Sequence, residues 1–355
     1  MLFPISRKRR NLAGLSVNED LVHRLGMLLR ERIVPLLPEG GSCAVVDFPN
    51  YYNVGDSAIW LGQRHLLREC GVQVAYLCTQ QSYSAGRLAM ALPRGPILIQ
   101  GGGNMGDLWP HHQRFRERVI QDFPERTIIQ FPQSIFFKDK DQLSRARAVF
   151  NAHPNVTLLL RDQRSLDFAR NEFVCQSILC PDMAFLLGTL RASSNKYPQD
   201  IFWLGRRDQE ATSFSSLEAS GQWPQTADWV SGEGASLLWR FRFLLEKIRV
   251  RNAERFADVY TKQTRRTIMK LDRSYETLAQ LQLTRGCHLL VSGRVVVTDR
   301  LHGHILSLLL GLPHVVLSDR YGKLRSFWDT WITETTSART AQNSQEALTI
   351  AKELL

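Results

Sequence analysis

The feature that most constrains the fold is an alternation along the first 190 residues: short, largely apolar runs, each followed by a turn and then by a segment with apolar residues at helical spacing. Strands are expected at 43–48, 72–77, 97–100, 127–131, 156–160 and 177–180, and helices at 58–70, 84–92, 110–122, 141–152 and 163–171. Parallel strands need long crossovers, and helices supply them, so six strands interleaved with helices predict a doubly wound parallel α/β sheet. A helix over 16–37 precedes them, with Leu21, Leu25, Leu28, Leu29 and Ile33 on one face and Ser16 with Glu19 as a capping box.

The pattern breaks after Gly188. The polar segment 191–200 reads as a linker, 201–204 restarts strand character, and 211–234, rich in Ser, Gly and Gln, reads as loops with one strand near Trp229. A long helix is expected over 237–270, with Phe241, Leu244, Leu245 and Ile248 on one face and nine Arg or Lys residues from Arg240 to Arg266 on the others. Further helices are expected at 275–292, 324–331 and 344–354, with a strand at 314–317. At 355 residues the chain exceeds the size at which one core stops growing. Two α/β domains follow as the expectation, 1–190 and a smaller one at 191–355.

Composition removes several function classes. No apolar run approaches the ~20 residues that span a bilayer, and the basic start MLFPISRKRRNLAG has no apolar core after it, so a cytoplasmic protein is expected. The six cysteines lack CxxC spacing and read as reduced core residues. The paired histidines, His111 with His112 and His302 with His304, have no carboxylates at ligand spacing, so no metal site is expected. A net charge of +11 calls for an anionic partner. Nucleic acid ranks last, because no basic stretch is interleaved with stacking aromatics.

Four loops could carry chemistry, since ligands of open α/β sheets bind beyond the carboxyl ends of strands. In the stretch 50–57, Asn53, Gly55 and Asp56 suit hydroxyl groups, with Asp56 as a helix N-cap the simpler reading. Gly101, Gly102, Gly103 and Asn104 follow an apolar run; the stretch is neither GxGxxG nor a Walker motif and suggests a sugar or phosphate cradle. Arg161 ends the strand at 156–160. Finally, VVVTDRLHGHILSLLLGL at 295–312 places Asp299, Arg300, Leu301 and His302 at a strand-to-helix joint, where a helix N-terminus already favours anions. Asp299 could simply cap that helix.

The motifs NVGDSAIW (53–60), QGGGNMGDLW (100–109), FPQSI (131–135), RDQRS (161–165), PDMAF (181–185), TDRLHGHILSLLLGLP (298–313) and SDRYGKLRSFWDTW (318–331) together resemble the polysaccharide pyruvyl transferase family over residues 45–335. The resemblance implies two Rossmann-like lobes similar to GT-B glycosyltransferases, with the active site in the inter-domain cleft. It implies transfer of pyruvate from phosphoenolpyruvate to two hydroxyls of a sugar in an exopolysaccharide or other cell-surface glycan precursor, forming a ketal and releasing phosphate, with no cofactor beyond that donor. Arg161, Arg300 and His302 are then the catalytic set. Asn53, Gly55, Asp56, Gly101, Gly102, Gly103, Asn104, Asp299, Leu301 and Lys323 are the expected substrate contacts. The expected partners are phosphoenolpyruvate and a free or lipid-linked glycan acceptor, with peripheral contact to an anionic membrane at the inner face of the plasma membrane through the basic helix. A GT-B glycosyltransferase using a nucleotide sugar is the alternative.

Overall fold

A computed structural model describes residues 17–191, 198–208, 210, 226–231, 234–259, 265–332 and 335–355. Strands β1 (Ser42–Val46), β2 (Gln73–Leu77), β3 (Ile97–Ile99), β4 (Gly102–Gly106), β5 (Ile128–Phe136), β6 (Val156–Leu160) and β7 (Gln176–Leu179) form the first sheet. Its order is β2-β1-β3-β5-β6-β7, with β4 beside β5, and its strand pairs are parallel. The second sheet has the order β12-β11-β10-β8-β9 and is also parallel, built from β8 (Gln199–Leu204), β9 (Thr226–Ala227), β10 (Gly293–Thr298), β11 (His314–Leu317) and β12 (Ala338–Ala341).

Period-two alternation decides which face each strand residue serves. Val45, Leu98, Ile129 and Leu159 of the first sheet join Phe202, Leu204, Val296 and Val316 of the second in one large apolar cluster. Their alternates Ala44, Val46, Ile97, Ile99, Leu158 and Leu160 pack on the opposite face of the first sheet. Trp203, Val295, Val297, Val315 and Leu317 pack under the C-terminal helix, Ser344–Glu353. Both faces of each sheet are therefore buried, which is why these strands read as continuous apolar runs.

Helices fill the space between the sheets. They include α1 (Val17–Ile33), α2 (Val54–Glu69), α7 (Leu237–Val259), α8 (Arg265–Leu290) and α9 (Leu301–Leu310), while α3 (Ala85–Ala91), α4 (Pro110–Asp122), α5 (Lys140–Ala152) and α6 (Gln163–Glu172) belong to the N-terminal half. Helix α10 (Lys323–Trp331) precedes β12, and α11 is the C-terminal helix (Ser344–Glu353). Where α2 crosses α8, Arg64 binds Asp272 through Nε at 2.9 Å and a terminal nitrogen at 2.8 Å, and Arg68 binds Glu276. A Cβ on Gly286 would lie 2.2 Å from Val54 Cγ1, so only glycine lets the helices approach this closely. Helix α1 ties the ends together through Asn18, which donates to Ser337 Oγ and accepts from Thr335 Oγ1.

The structure departs from the sequence reading at definite places. The glycine stretch after β3 is a strand, β4, paired with β5 across an irregular register, instead of a loop. Helix α2 begins at Val54, so Gly55 and Asp56 lie in its first turn. The long helix expected at 237–270 is two helices, and α8 reaches back across residues assigned to the gap before 275. Strand β12 was not expected. The apolar stripe of α7, whose direction the spacing leaves open, faces outward. Ser16, the linker residues 192–197, and residues 211–225 and 232–233 of the Ser/Gly/Gln region lie outside the described residues.

Candidate active site

Strand order reverses at two points, between β1 and β3 in the first sheet and between β8 and β10 in the second. Such switch points open crevices at strand carboxyl ends. Both open on a single cavity of about 320 Å³. From the first sheet Asn53, Asp56, Gly103, Asn104 and Arg161 line it; from the second, Arg206, Asp208, Arg300, Leu301 and His302, with Lys323 at the start of α10.

Four fixed cations face this space, each already tied to a carboxylate. Arg161 donates from Nε to Ser134 Oγ at 2.9 Å and from a terminal nitrogen to Asp182 Oδ2 at 2.8 Å. Arg300 donates to Asp228 at 2.6 Å and lies 5.9 Å over the Trp229 ring. Arg206 forks onto Asp208 at 2.9 and 3.0 Å and reaches Glu210 at 3.0 Å. Lys323 Nζ donates to Gly103 O at 3.0 Å and Glu210 Oε2 at 3.1 Å. Asp182 is fully buried, which alone would raise its pKa; the facing His302 and then Arg161 outweigh this and hold the carboxyl well below the usual range. Asp182 is thus a fixed anion behind the site. His302 Nε2 stands 3.3 Å from Asp182 Oδ2, an ion-pair distance without hydrogen-bond alignment.

Several donors are left over. Arg300 Nε and His302 Nε2 are buried and lack a hydrogen-bond partner among the described residues. Helix α9 starts at Leu301 with no side-chain cap, so its first N–H groups have no side chain to accept from them. An uncapped helix start beside an unpartnered guanidinium nitrogen is the arrangement that favours an anion. One layer back, Arg116 is fully buried and donates only to Gln130, Gln113 and Asn104 oxygens; burial lowers its pKa to about 10, which still leaves it charged at neutral pH.

On the opposite wall, Asn53 caps α2 by accepting from Gly55 N–H at 2.9 Å, so Asp56 is not the cap. Asp56 Oδ2 accepts from Tyr51 Oη and Asn53 Nδ2, both at 2.7 Å. The Tyr51 ring edge is exposed while its hydroxyl is enclosed, and that burial together with Asp56 and Asp47 raises its pKa. His112 also lines the cavity, with Nδ1 3.3 Å from Asp47 Oδ2. Asp47 holds a positive φ of 72°, a strained conformation for a non-glycine residue.

The glycines make room for side chains of the protein itself. A Cβ on Gly55 would meet His302 Nδ1 at 2.3 Å, one on Gly103 would meet an Arg161 terminal nitrogen at 2.7 Å, and one on Gly102 would meet Asp56 Oδ1 at 3.1 Å. Gly101 approaches Pro132 O instead and does not line the cavity. Asp299 also stays out of it: Oδ1 accepts from Arg206 N–H at 2.9 Å, Oδ2 is unpartnered, and burial raises its pKa to about 6. It neither caps α9, where Arg300 holds the cap position, nor lines the cavity. Sequence reading missed Asp182, Asp228, Arg206, Asp208, Glu210 and His112. The signals were the strand-end placement of Arg206 and Asp208, the PDMAF motif around Asp182 and the His111–His112 pair; Asp228 and Glu210 are brought in by tertiary packing.

A cavity at two switch points, lined by four fixed cations with their carboxylate partners and by the His302 imidazole, is the ligand site expected of an α/β protein built on parallel sheets. A family model described as polysaccharide pyruvyl transferase matches residues 53–321, and the chain belongs to that family of transferases. Pyruvyl transferase 1 of Schizosaccharomyces pombe is 33% identical over 308 residues, covering 81% of this chain and 69% of that protein. EpsO of Bacillus subtilis, likewise named for pyruvyl transfer, is 29% identical over 320 residues, 88% of this chain and 92% of its own. A crystal structure of a Klebsiella pneumoniae protein of uncharacterised function superposes with a TM-score of 0.50 at 16% identity, covering 91% of this chain and 99% of that one, a likeness of fold alone. Among the described residues no group of His, Cys, Asp and Glu could hold a metal ion, and no helix is long and apolar enough to cross a membrane.

Proposed function

We propose that the chain transfers pyruvate from phosphoenolpyruvate to two hydroxyls of a sugar in a cell-surface glycan precursor, forming a cyclic ketal and releasing phosphate. In this reading the two sheets act as two lobes in a GT-B-like arrangement, and the cavity is the cleft between them. The observation that carries it is that Arg161, Arg206, Arg300 and Lys323 line one cavity together with His302 in the first turn of the uncapped α9. Phosphoenolpyruvate sets a carboxylate and a phosphate close together, and planar guanidinium forks match both.

The steps balance as follows. His302, held beside Asp182, delivers a proton to the methylene carbon, which becomes methyl and leaves an oxocarbenium-like centre at C2. One sugar hydroxyl adds to C2 and loses its proton. The second hydroxyl adds to the same carbon as the C–O bond to phosphate breaks. One hydroxyl proton returns to His302, and the other departs with phosphate. Asp56, with Tyr51 and Asn53 fixed upon it, and the His112–Asp47 pair are the groups placed to orient the acceptor hydroxyls and relay those two protons. Positioned acid–base help of this kind is worth about 10²- to 10⁴-fold.

Phosphoenolpyruvate should raise the melting temperature of the wild type, because a ligand that binds only the native state stabilises it. Arg300→Lys should lose most of that shift, since an ammonium cannot reproduce the fork. A comparable shift with nucleotide sugars and none with phosphoenolpyruvate would favour a sugar transferase.

A further inference from the structure

Helix α7 turns an apolar stripe to the outside. Leu237, Leu238, Phe241, Leu244, Leu245 and Ile248 recur at helical spacing, with Leu237 86% and Phe241 59% exposed. This is not the face that packs. Phe243 and Val250 are buried on the inner side, Trp239 stacks on Phe243 and donates Nε1–H to Leu281 O of α8 at 2.8 Å, and Lys247 Nζ sits 5.4 Å over the Tyr52 ring.

The charges sort in the same way. Arg240, Arg242, Arg249, Arg251 and Arg255 are exposed. Between Arg240 and Arg255 the acidic residues are Glu246, which is buried and pairs with Arg249, and Glu254, which accepts from Tyr275, Thr79 and Ser82. Among the described residues from Leu237 to Arg255, the outer face thus offers apolar side chains, Asn252 and a surplus of positive charge. A second copy docked here would bring arginines against arginines. A bilayer with anionic headgroups accommodates both components, the apolar stripe entering the acyl boundary and the arginines meeting phosphate.

We propose that α7 is an in-plane membrane-docking helix that holds the protein against an anionic lipid surface. Tyr52, which packs on α7, adjoins Tyr51 at the wall with Asn53 and Asp56, so the docked edge is the one from which a lipid-linked acceptor would enter. That last point rests on the reading of the cavity given above; docking itself does not.

Flotation of the full chain with phosphatidylcholine vesicles, with and without phosphatidylglycerol, tests it. The wild type should float with the anionic vesicles and not the neutral ones, and added salt should release it. Each arginine replaced by glutamine should weaken partitioning about fivefold, and Phe241→Ser with Leu244→Ser should weaken it about tenfold or more. Both positions are exposed, so circular dichroism and phosphate release with a soluble acceptor should be unchanged, which separates failure of docking from failure of the pyruvyl-transfer reading. Equal binding to neutral vesicles, no loss in the Phe241/Leu244 variant, or a light-scattering dimer that buries this face and ignores vesicles would overturn the proposal.

Discussion

At the scale of single residues, the site depends on how close His302 can come to α2. Gly55 is the contact: a methyl group there would lie 2.3 Å from Nδ1, so Gly55→Ala must displace the imidazole from Asp182. Turnover in Gly55→Ala should fall toward that of His302→Ala, about 10²-fold or more below wild type, while both variants keep the phosphoenolpyruvate-induced melting shift that the arginines supply. Wild-type turnover in either variant would remove His302 from the chemistry. Arg161, Arg300 and His302 were legible in the sequence because each stands where an apolar run gives way to a helix start, a local signal. Asp182 was legible only as a member of the PDMAF motif, without a role, and Asp228 was not. Each gains meaning only as the buried counter-charge of an arginine 21 or 72 residues away in sequence, a pairing that tertiary packing creates.

At the scale of elements, α9 is anchored by a buried histidine pair. His314 Nδ1 lies 2.8 Å from Leu312 O and must donate to it, which leaves Nε2 to accept from His304 Nδ1–H at 2.8 Å. Both imidazoles are therefore neutral, and burial pushes His304 well below the ordinary value and His314 down to about 4. The unfolded chain then binds more protons between about pH 4 and 6.5, so these groups make stability rise with pH across that window, by up to about 1.4 kcal/mol per unit for each histidine. Asp299 runs the other way, because its folded pKa is raised. The difference between proteins is therefore the readout: urea unfolding should depend less on pH between 4.5 and 6.5 in His304→Leu than in the wild type, whatever the absolute cost of the change. Identical slopes would show that His304 does not titrate on unfolding. Elements themselves were read well where both faces of a strand are apolar. Strand β4 escaped because three glycines carry no side-chain pattern, and β12 because Ala338–Ala341 is short and half polar. The outward face of α7 escaped because a period shows that a stripe exists without showing which way it points.

At the scale of the whole molecule, two parallel sheets bring both switch points to one cavity, whose four fixed cations are matched by carboxylates, while exposed arginines gather along α7. Neither sheet alone supplies the set. Arg161 and Asp56 come from the first, Arg206, Arg300 and His302 from the second, and the α2–α8 crossing with its Arg64–Asp272 fork holds the halves in register. The two-sheet architecture was foreseeable from alternation; the position of the cavity at both reversals was not, because strand order is a property of packing. Incubation of the purified protein with phosphoenolpyruvate and a panel of galactosides and glucosides, following acceptor mass and free phosphate together, tests pyruvyl transfer most directly. Pyruvyl transfer requires an acceptor that gains the mass of one pyruvyl ketal for each phosphate released, and loss of both signals in His302→Ala. Transfer of a hexose from a nucleotide sugar by the same protein, with phosphoenolpyruvate left intact across the panel, would contradict it.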